Sequence, residues 1–368
     1  LQRRTFLQVS GAATLGAAGD ESIPDYEVVT SFKPEGKFGM PGPYPGQVVS
    51  VHAPGVIEAQ TEKVDAPTVN EMLSRGMREL TAAKTDADAW RRFFTPSDVI
   101  GIKVNCSGAP GAMSMPDVVA GIARNLIAIG VKPEQIYVWE RSQLQRAGYE
   151  KYIPQGVQLH NAGRTGYDPA TYVECDFFGE EDTRSNMVAL ITRKLTKIIN
   201  VPNMKDHGAS GVTGCLKNIA YGSFNNVARS HKGVRTHTRT FIGTLAAVEP
   251  VRSRTVLQIM DGLRGVWHAG PFSRNRKFRF YPKQMMFGTD PVAIDRLLLD
   301  IIDDKRKAEG AVSVRHHSMK HVQPGEGYSD DPNIDRFLRE PGHIEYAANQ
   351  FNLGVYDIRK IKVKKIEI

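Results

Sequence analysis

The sequence predicts an α/β fold, a mostly parallel sheet joined by crossover helices, and three observations carry that prediction. Residues 98–140 run strand, loop, helix, strand, which is the order of a parallel crossover unit. Most of the 34 glycines fall between apolar runs, as the loops of an α/β fold require. Several expected strands end in polar residues: Asn105, Glu140-Arg141, the group 203–207, Asp261 and Asp290. Ligands of open α/β sheets bind beyond the carboxyl ends of the strands, so these ends can meet in one cleft. An arrangement in two lobes with the cleft between them is compatible with the same pattern.

The elements follow in order. The chain opens Leu1-Gln2-Arg3-Arg4-Thr5-Phe6-Leu7 and continues with small and apolar residues, a pattern that resembles a twin-arginine export signal over residues 1–20. Residues 21–46 hold five prolines and read as an extended segment or surface wrap. The α/β domain is expected over 47–368. It begins with a strand at 47–51 and a helix at 66–83 whose Val69, Met72, Leu73, Met77 and Leu80 share one face. A strand at 98–105, a glycine-containing loop at 106–115, a helix at 117–130 and a strand at 135–140 come next. Further strands are expected at 156–160, 194–201, 255–260 (ending at Asp261), 284–287 and 361–366. A loop is expected at 202–210, and helices near 211–219, at 292–307 and at 344–352. Asp290 before Pro291 has the pattern of a helix cap.

Composition excludes several classes. Of 368 residues, 41% are hydrophobic and 24% charged, a balance that a disordered chain does not have. No run reaches the roughly 18 apolar residues that a membrane-spanning helix needs. The net charge of +8 is spread among 40 acidic residues, with no basic helix and no aromatic-interleaved motif, so no nucleic-acid partner is expected. A basic surface could attract anionic lipid or a small anionic molecule, and the plainer reading is a soluble protein with a modest positive surplus. Cys106, Cys175 and Cys215 form no C-x-x-C pair, so no iron–sulfur cluster or structural zinc is expected. The sequence contains no nucleophile elbow, no P-loop and no dinucleotide fingerprint.

Chemistry concentrates in residues 200–226, NVPNMKDHGASGVTGCLKNIAYGSFNN. Here a strand delivers Lys205 and His207 into a turn where Gly208, Gly211 and Gly214 let the backbone approach a ligand. Thr213 adds a hydroxyl, and Lys217 and Asn218 follow one helical turn later. The free N–H groups of a helix starting near Gly211 would make an anion site. His207 is expected to act as an acid or base, with Lys205 and Lys217 holding an anion or attaching a cofactor. Asn105, Gly211, Thr213, Gly214, Asn218, Asn225 and Arg264 are candidate anion or cofactor contacts. His231 is a candidate metal ligand. His316, His317 and His321 form a second, weaker histidine group that also fits a solvated loop.

The chain is identified as a member of family 362 of the domains of unknown function. The likeness rests on DVIGIKVN at 98–105, VWERS at 138–142, the NVPNMKDHGASGVTGCLKN segment, DGLRG at 261–265 and TDPVAID at 289–295. Twin-arginine leaders also occur in that family, and the likeness implies export of an already folded protein to the periplasm. The order His207, glycine turn, Lys217, His231 is also similar to a segment of the nickel-pincer lactate racemases. That resemblance implies proton transfer at His207, attachment of a pincer nucleotide at Lys217 and nickel at His231. Where those racemases carry Asp-x-Thr-Arg, this chain has Asn105-Cys106-Ser107-Gly108. The combined expectation is an exported enzyme acting on a small anionic substrate in a racemase-like or oxidoreductase-like step. A non-catalytic anion- or partner-binding protein, or a structural subunit of an exported assembly, is the alternative.

Overall fold

The structure is a computed structural model that describes residues 23–231, 237–272, 275–315, 331–333 and 341–368. The expected leader at 1–20 and the histidines His316, His317 and His321 lie outside the described residues.

Fourteen strands are described: β1 (Glu27–Val29), β2 (Gln47–His52), β3 (Ile100–Lys103), β4 (Ile136–Glu140), β5 (Gln158–Asn161), β6 (Tyr167–Glu174), β7 (Arg184–Val188), β8 (Lys197–Asn200), β9 (Asn203–His207), β10 (Gly211–Val212), β11 (Thr255–Val266), β12 (Arg279–Phe280), β13 (Gln284–Gly288) and β14 (Lys362–Glu367). The main sheet has the order β14-β2-β13-β11-β8-β3-β4-β5. Only β13 runs against its neighbours on that path, so the sheet is mostly parallel, as expected.

The sheet separates two apolar cores. Alternate residues of its strands enter opposite cores: Val48 and Ile198 one, Val49 and Ile199 the other. The helices Ala66–Thr81 and Pro116–Ala128 bury their apolar stripes in the core with Val49. The helices Gly214–Ser223, Thr238–Ala246, Pro291–Ala308 and His343–Phe351 fill the other. Asp290 caps its helix as the sequence suggests, accepting from Ala293 N–H at 2.8 Å. It also accepts from Gly46 and Val355, which ties the chain before β2 to the segment after the last helix.

Two strands correct the expected elements, and they depend on each other. β11 does not stop near residue 260 but continues to Val266, every residue of it buried. Its first part pairs with β8 and its later part with β9. The stretch expected as a loop at 202–210 therefore contains β9, which folds back on β10 as a short hairpin. The helix then starts at Gly214 rather than near 211. Asn203 fixes the junction by donating to the Asp261 and Arg264 carbonyls. The extended segment before residue 47 packs on its own chain, where β1 joins β6 and β7 in a separate antiparallel sheet.

Chain order reverses between β3 and β8. From β3 the chain crosses to β4 and β5 on one side, and it later returns as β8 on the other. The crevice beyond the carboxyl ends of β3 and β8 is the position where such sheets bind ligands.

Candidate active site

A cavity of about 310 Å³ lies at that crevice. Its wall is built from the ends of β3 (Lys103, Asn105), β4 (Glu140, Arg141) and β9 (His207), with Pro271 and Phe272 from the chain after β11. One face of the helix Gly214–Ser223 supplies the rest. Thr213, Lys217 and Tyr221 are spaced four apart, with Asn218 and Gly222 beside them, as a single helical stripe requires. Val227, Ala228 and His231 close the side.

Lys217 is the central lysine of the cavity. Its Nζ lies 3.2 Å from His231 Nε2 and 4.1 Å from the centre of the Tyr221 ring. No carboxylate among the described residues pairs with it. Burial first, then the charges of Arg141 and Lys205, hold its pKa well below the usual lysine value. His231 donates from Nδ1 to the Ala228 carbonyl at 3.2 Å, which leaves Nε2 as an acceptor facing Lys217. Burial and the Lys217 charge push the His231 pKa down to about 3, so its ring is neutral. His207 has the opposite tautomer. Its Nδ1 accepts from Ala209 N–H at 3.1 Å, which places the ring proton on Nε2. The two imidazoles are 5.2 Å apart between ring centres.

A second lysine, Lys103, was not singled out by the sequence reading. It lies at the end of β3 and donates to Glu140 at 3.0 Å and to Asn218 Oδ1 at 3.1 Å. Glu140, the one carboxylate among the described lining residues, also accepts from the Cys106 and Arg141 N–H groups. Gly222 makes the room that Lys103 needs, since a Cβ there would stand 1.9 Å from Lys103 Cε. The available signal was a lysine inside an otherwise apolar strand, followed by a polar strand end.

Lys205 stands behind the wall rather than in it. Fully buried, it donates to Asn105 Oδ1 at 2.5 Å and to the Pro271 carbonyl at 3.3 Å. Burial, with Lys103 adding, lowers its pKa to about 7, although Glu140 opposes the shift. Asn105 passes the contact on to Asn218, which reaches Asn200, which reaches Gln258. The structure therefore brings Asn105, His207, Thr213, Lys217, Asn218 and His231 together around one hollow and keeps Lys205 one residue removed.

Four other candidates are placed elsewhere. Gly214 adopts φ +60°, and a Cβ there would meet the Asp295 carboxylate at 2.3 Å. Asp295 itself accepts from Cys215 N–H at 2.5 Å and Leu216 N–H at 2.9 Å. The helix start expected as an anion site is thus already occupied by a carboxylate of the same chain. Gly211 pairs with His207 across the β9–β10 hairpin and faces Pro341. Asn225 exchanges contacts with the Asn186 backbone. Arg264 pairs with Glu62 at 2.5 Å and donates to the Pro110 carbonyl, in a cluster with Arg279 and Tyr281.

His231, the candidate metal ligand, presents one imidazole to the cavity. His231 Nε2 faces Lys217 and its Nδ1 is tied to the backbone. Among the described residues no group of three or more His, Cys, Asp or Glu side chains gathers in metal-binding geometry. Thr213 is different in kind. The residue lines the cavity, and its buried hydroxyl has no hydrogen-bond partner among the described residues.

Comparison with known proteins adds family membership and little else. The model of a domain of unknown function, DUF362, matches residues 100–300. Comparison with curated proteins returned no match. A crystal structure of a protein from Thermotoga maritima is similar at 12% identity and a TM-score of 0.37. The likeness covers 70% of this chain and 61% of that one, so it spans less than two thirds of the Thermotoga protein. No helix among the described residues is long and apolar enough to cross a membrane.

Proposed function

Because the chain belongs to the DUF362 family, whose description assigns no activity, we propose its function from the pocket: it binds a small anionic molecule and moves a proton on it. One observation carries this reading. Lys217 is a buried lysine with no carboxylate partner among the described residues, facing a cavity that it shares with Arg141. A buried cation without a counter-charge is costly, and an entering anion supplies that charge. The bound anion is then balanced by a cationic nitrogen at Lys217, with net uptake of one proton by the site.

The two imidazoles support the proton step. His207 carries its ring proton on Nε2 and His231 on Nδ1, so imidazoles of opposite tautomer stand on one wall. Thr213, Asn105 and Asn218 add neutral groups suited to a hydroxyl or carbonyl oxygen. A racemase-like or oxidoreductase-like step on a small carboxylate is the sharpest form of the proposal. The Arg3-Arg4 pattern, which resembles a twin-arginine signal, supports an extracytoplasmic setting for it.

Calorimetry with small carboxylates and inorganic phosphate, in buffers of differing ionisation heat, tests the binding. Proton uptake on binding is expected, and affinity should fall at least about tenfold in Lys217→Met. Binding without proton uptake, or unchanged binding in that variant, sinks the reading. Deuterium incorporation from heavy water into the carbon-bound position of a 2-hydroxy carboxylate would separate catalysis from simple capture.

A further inference from the structure

We propose that Lys217 is a nucleophile that condenses with the carbonyl carbon of a small 2-oxo carboxylate, forming an iminium adduct in the pocket. The inference rests on the anion-binding reading above and names the substrate class that the same site would take.

Four features of the cavity support it. The Lys217 Nζ contacts are an imidazole nitrogen and an aromatic face, not a carboxylate. A lysine buried beside another cation, here Arg141, is driven toward the reactive amine rather than the ammonium. His231 Nε2, 3.2 Å away, is an acceptor because Nδ1 is held by the Ala228 carbonyl, so it stands where the attacking nitrogen sheds a proton. Thr213 lies one helical turn before Lys217 on the same stripe, with a buried hydroxyl that has no partner among the described residues. That hydroxyl can hold the oxygen leaving the carbonyl carbon, while Arg141 holds the carboxylate. Glu140 does not serve as the counter-charge for the amine, because Lys103 and two backbone N–H groups already use it.

The step balances without an oxidant or a reductant. The nitrogen lone pair forms an N–C bond as the carbonyl π pair moves onto oxygen. One N–H proton passes through His231 to that oxygen, giving a carbinolamine. The hydroxyl then leaves with one further proton as water while the nitrogen lone pair forms the C=N bond. The net change is uptake of one proton and release of one water.

Reductive trapping tests this on the full chain. The wild-type protein is incubated with glyoxylate or pyruvate and cyanoborohydride, then digested and mapped by mass spectrometry. The expected product is a single reduced adduct on Lys217, formed about tenfold or more faster than at any surface lysine. Oxalate, which has the carboxylates but no reactive carbonyl, should protect Lys217, and Thr213→Val should slow trapping. Because mapping uses the wild-type chain, it does not depend on the folding of a lysine variant. Label spread over surface lysines with Lys217 unmodified, while oxalate still binds by calorimetry, overturns the covalent step and leaves the anion reading standing. Failure of oxalate and of both 2-oxo acids to bind overturns the two together.

Discussion

Asp295 and Cys215 meet at 2.5 Å, carboxylate oxygen to backbone N–H, and this contact sets the start of the helix that carries Lys217. Asp295 comes from the helix Pro291–Ala308, so one helix caps another across the core. The Gly214 backbone, at φ +60°, lets the carboxylate come this close.

Removing that cap should loosen the helix and the pocket with it. Asp295→Ala is expected to cost about 1–2 kcal/mol in urea denaturation. The pH dependence gives a second check. Burial raises the Asp295 pKa from its ordinary 3.8 to about 7, against its two backbone hydrogen bonds. A carboxyl with a raised folded pKa binds protons more tightly when folded, so its contribution is complete below pH 3.8 and lost as pH rises through about 7. Asp261 and Asp290, each raised to about 6, act in the same direction. Asp295→Asn should therefore show a shallower fall in stability across that window than the wild type. An unchanged slope would mean that Asp295 is ionised throughout.

The residues that were readable from sequence and those that were not differ in a physical way. The strands with a run of β-branched residues, such as Ile198-Ile199, and the helices with a clean apolar stripe announce themselves, because local pattern and burial agree. β9 does not, since NMKDH has no apolar alternation. It is a strand because β11 runs six residues past Met260 and offers unpaired backbone groups. The site divides in the same manner. Lys217 and His207 could be named from their glycine-rich surroundings, but sequence spacing cannot show that Asp295 fills the helix start or that Lys205 turns toward Asn105. Lys103 stayed hidden inside an apolar strand, where only the three-dimensional neighbour Glu140 reveals its role.

Thr213→Val should separate stability from binding. The hydroxyl is buried without a partner among the described residues, so replacing it with a methyl removes an unsatisfied group and leaves the fold as stable as before or up to about 1 kcal/mol more stable. Affinity for an anion carrying a hydroxyl or carbonyl should fall about fivefold, and by less for one without either group. Urea denaturation and calorimetry on the same preparation read both. A loss of stability with unchanged affinity would assign the hydroxyl to the fold instead.

Arg264→Met should do the reverse. Arg264 joins Glu62 and the Pro110 carbonyl away from the cavity lining, and Glu62 keeps Arg279 and Tyr281 when it is gone. The expected cost is about 1–3 kcal/mol of stability, with anion affinity unchanged within about twofold. A large drop in affinity at retained stability would return Arg264 to the binding site.

Lys205 offers a pH signature that a cavity residue need not share. Its pKa falls from the ordinary 10.5 to about 7, chiefly through burial. A base with a depressed folded pKa contributes stability above pH 10.5 and loses it as pH falls toward about 7, because the unfolded chain then binds a proton that the folded one resists. Stability of the wild type should therefore climb between about pH 7 and 10 from this group. Lys205→Met removes the titrating amine at similar volume, at the expense of the hydrogen bond to Asn105. Its absolute stability can move either way, but the climb should flatten, as read by urea midpoints across that range. A variant that keeps the full slope would show that Lys205 carries its proton inside the fold, held by the Asn105–Asn218 chain, and that the slope originates at Lys217.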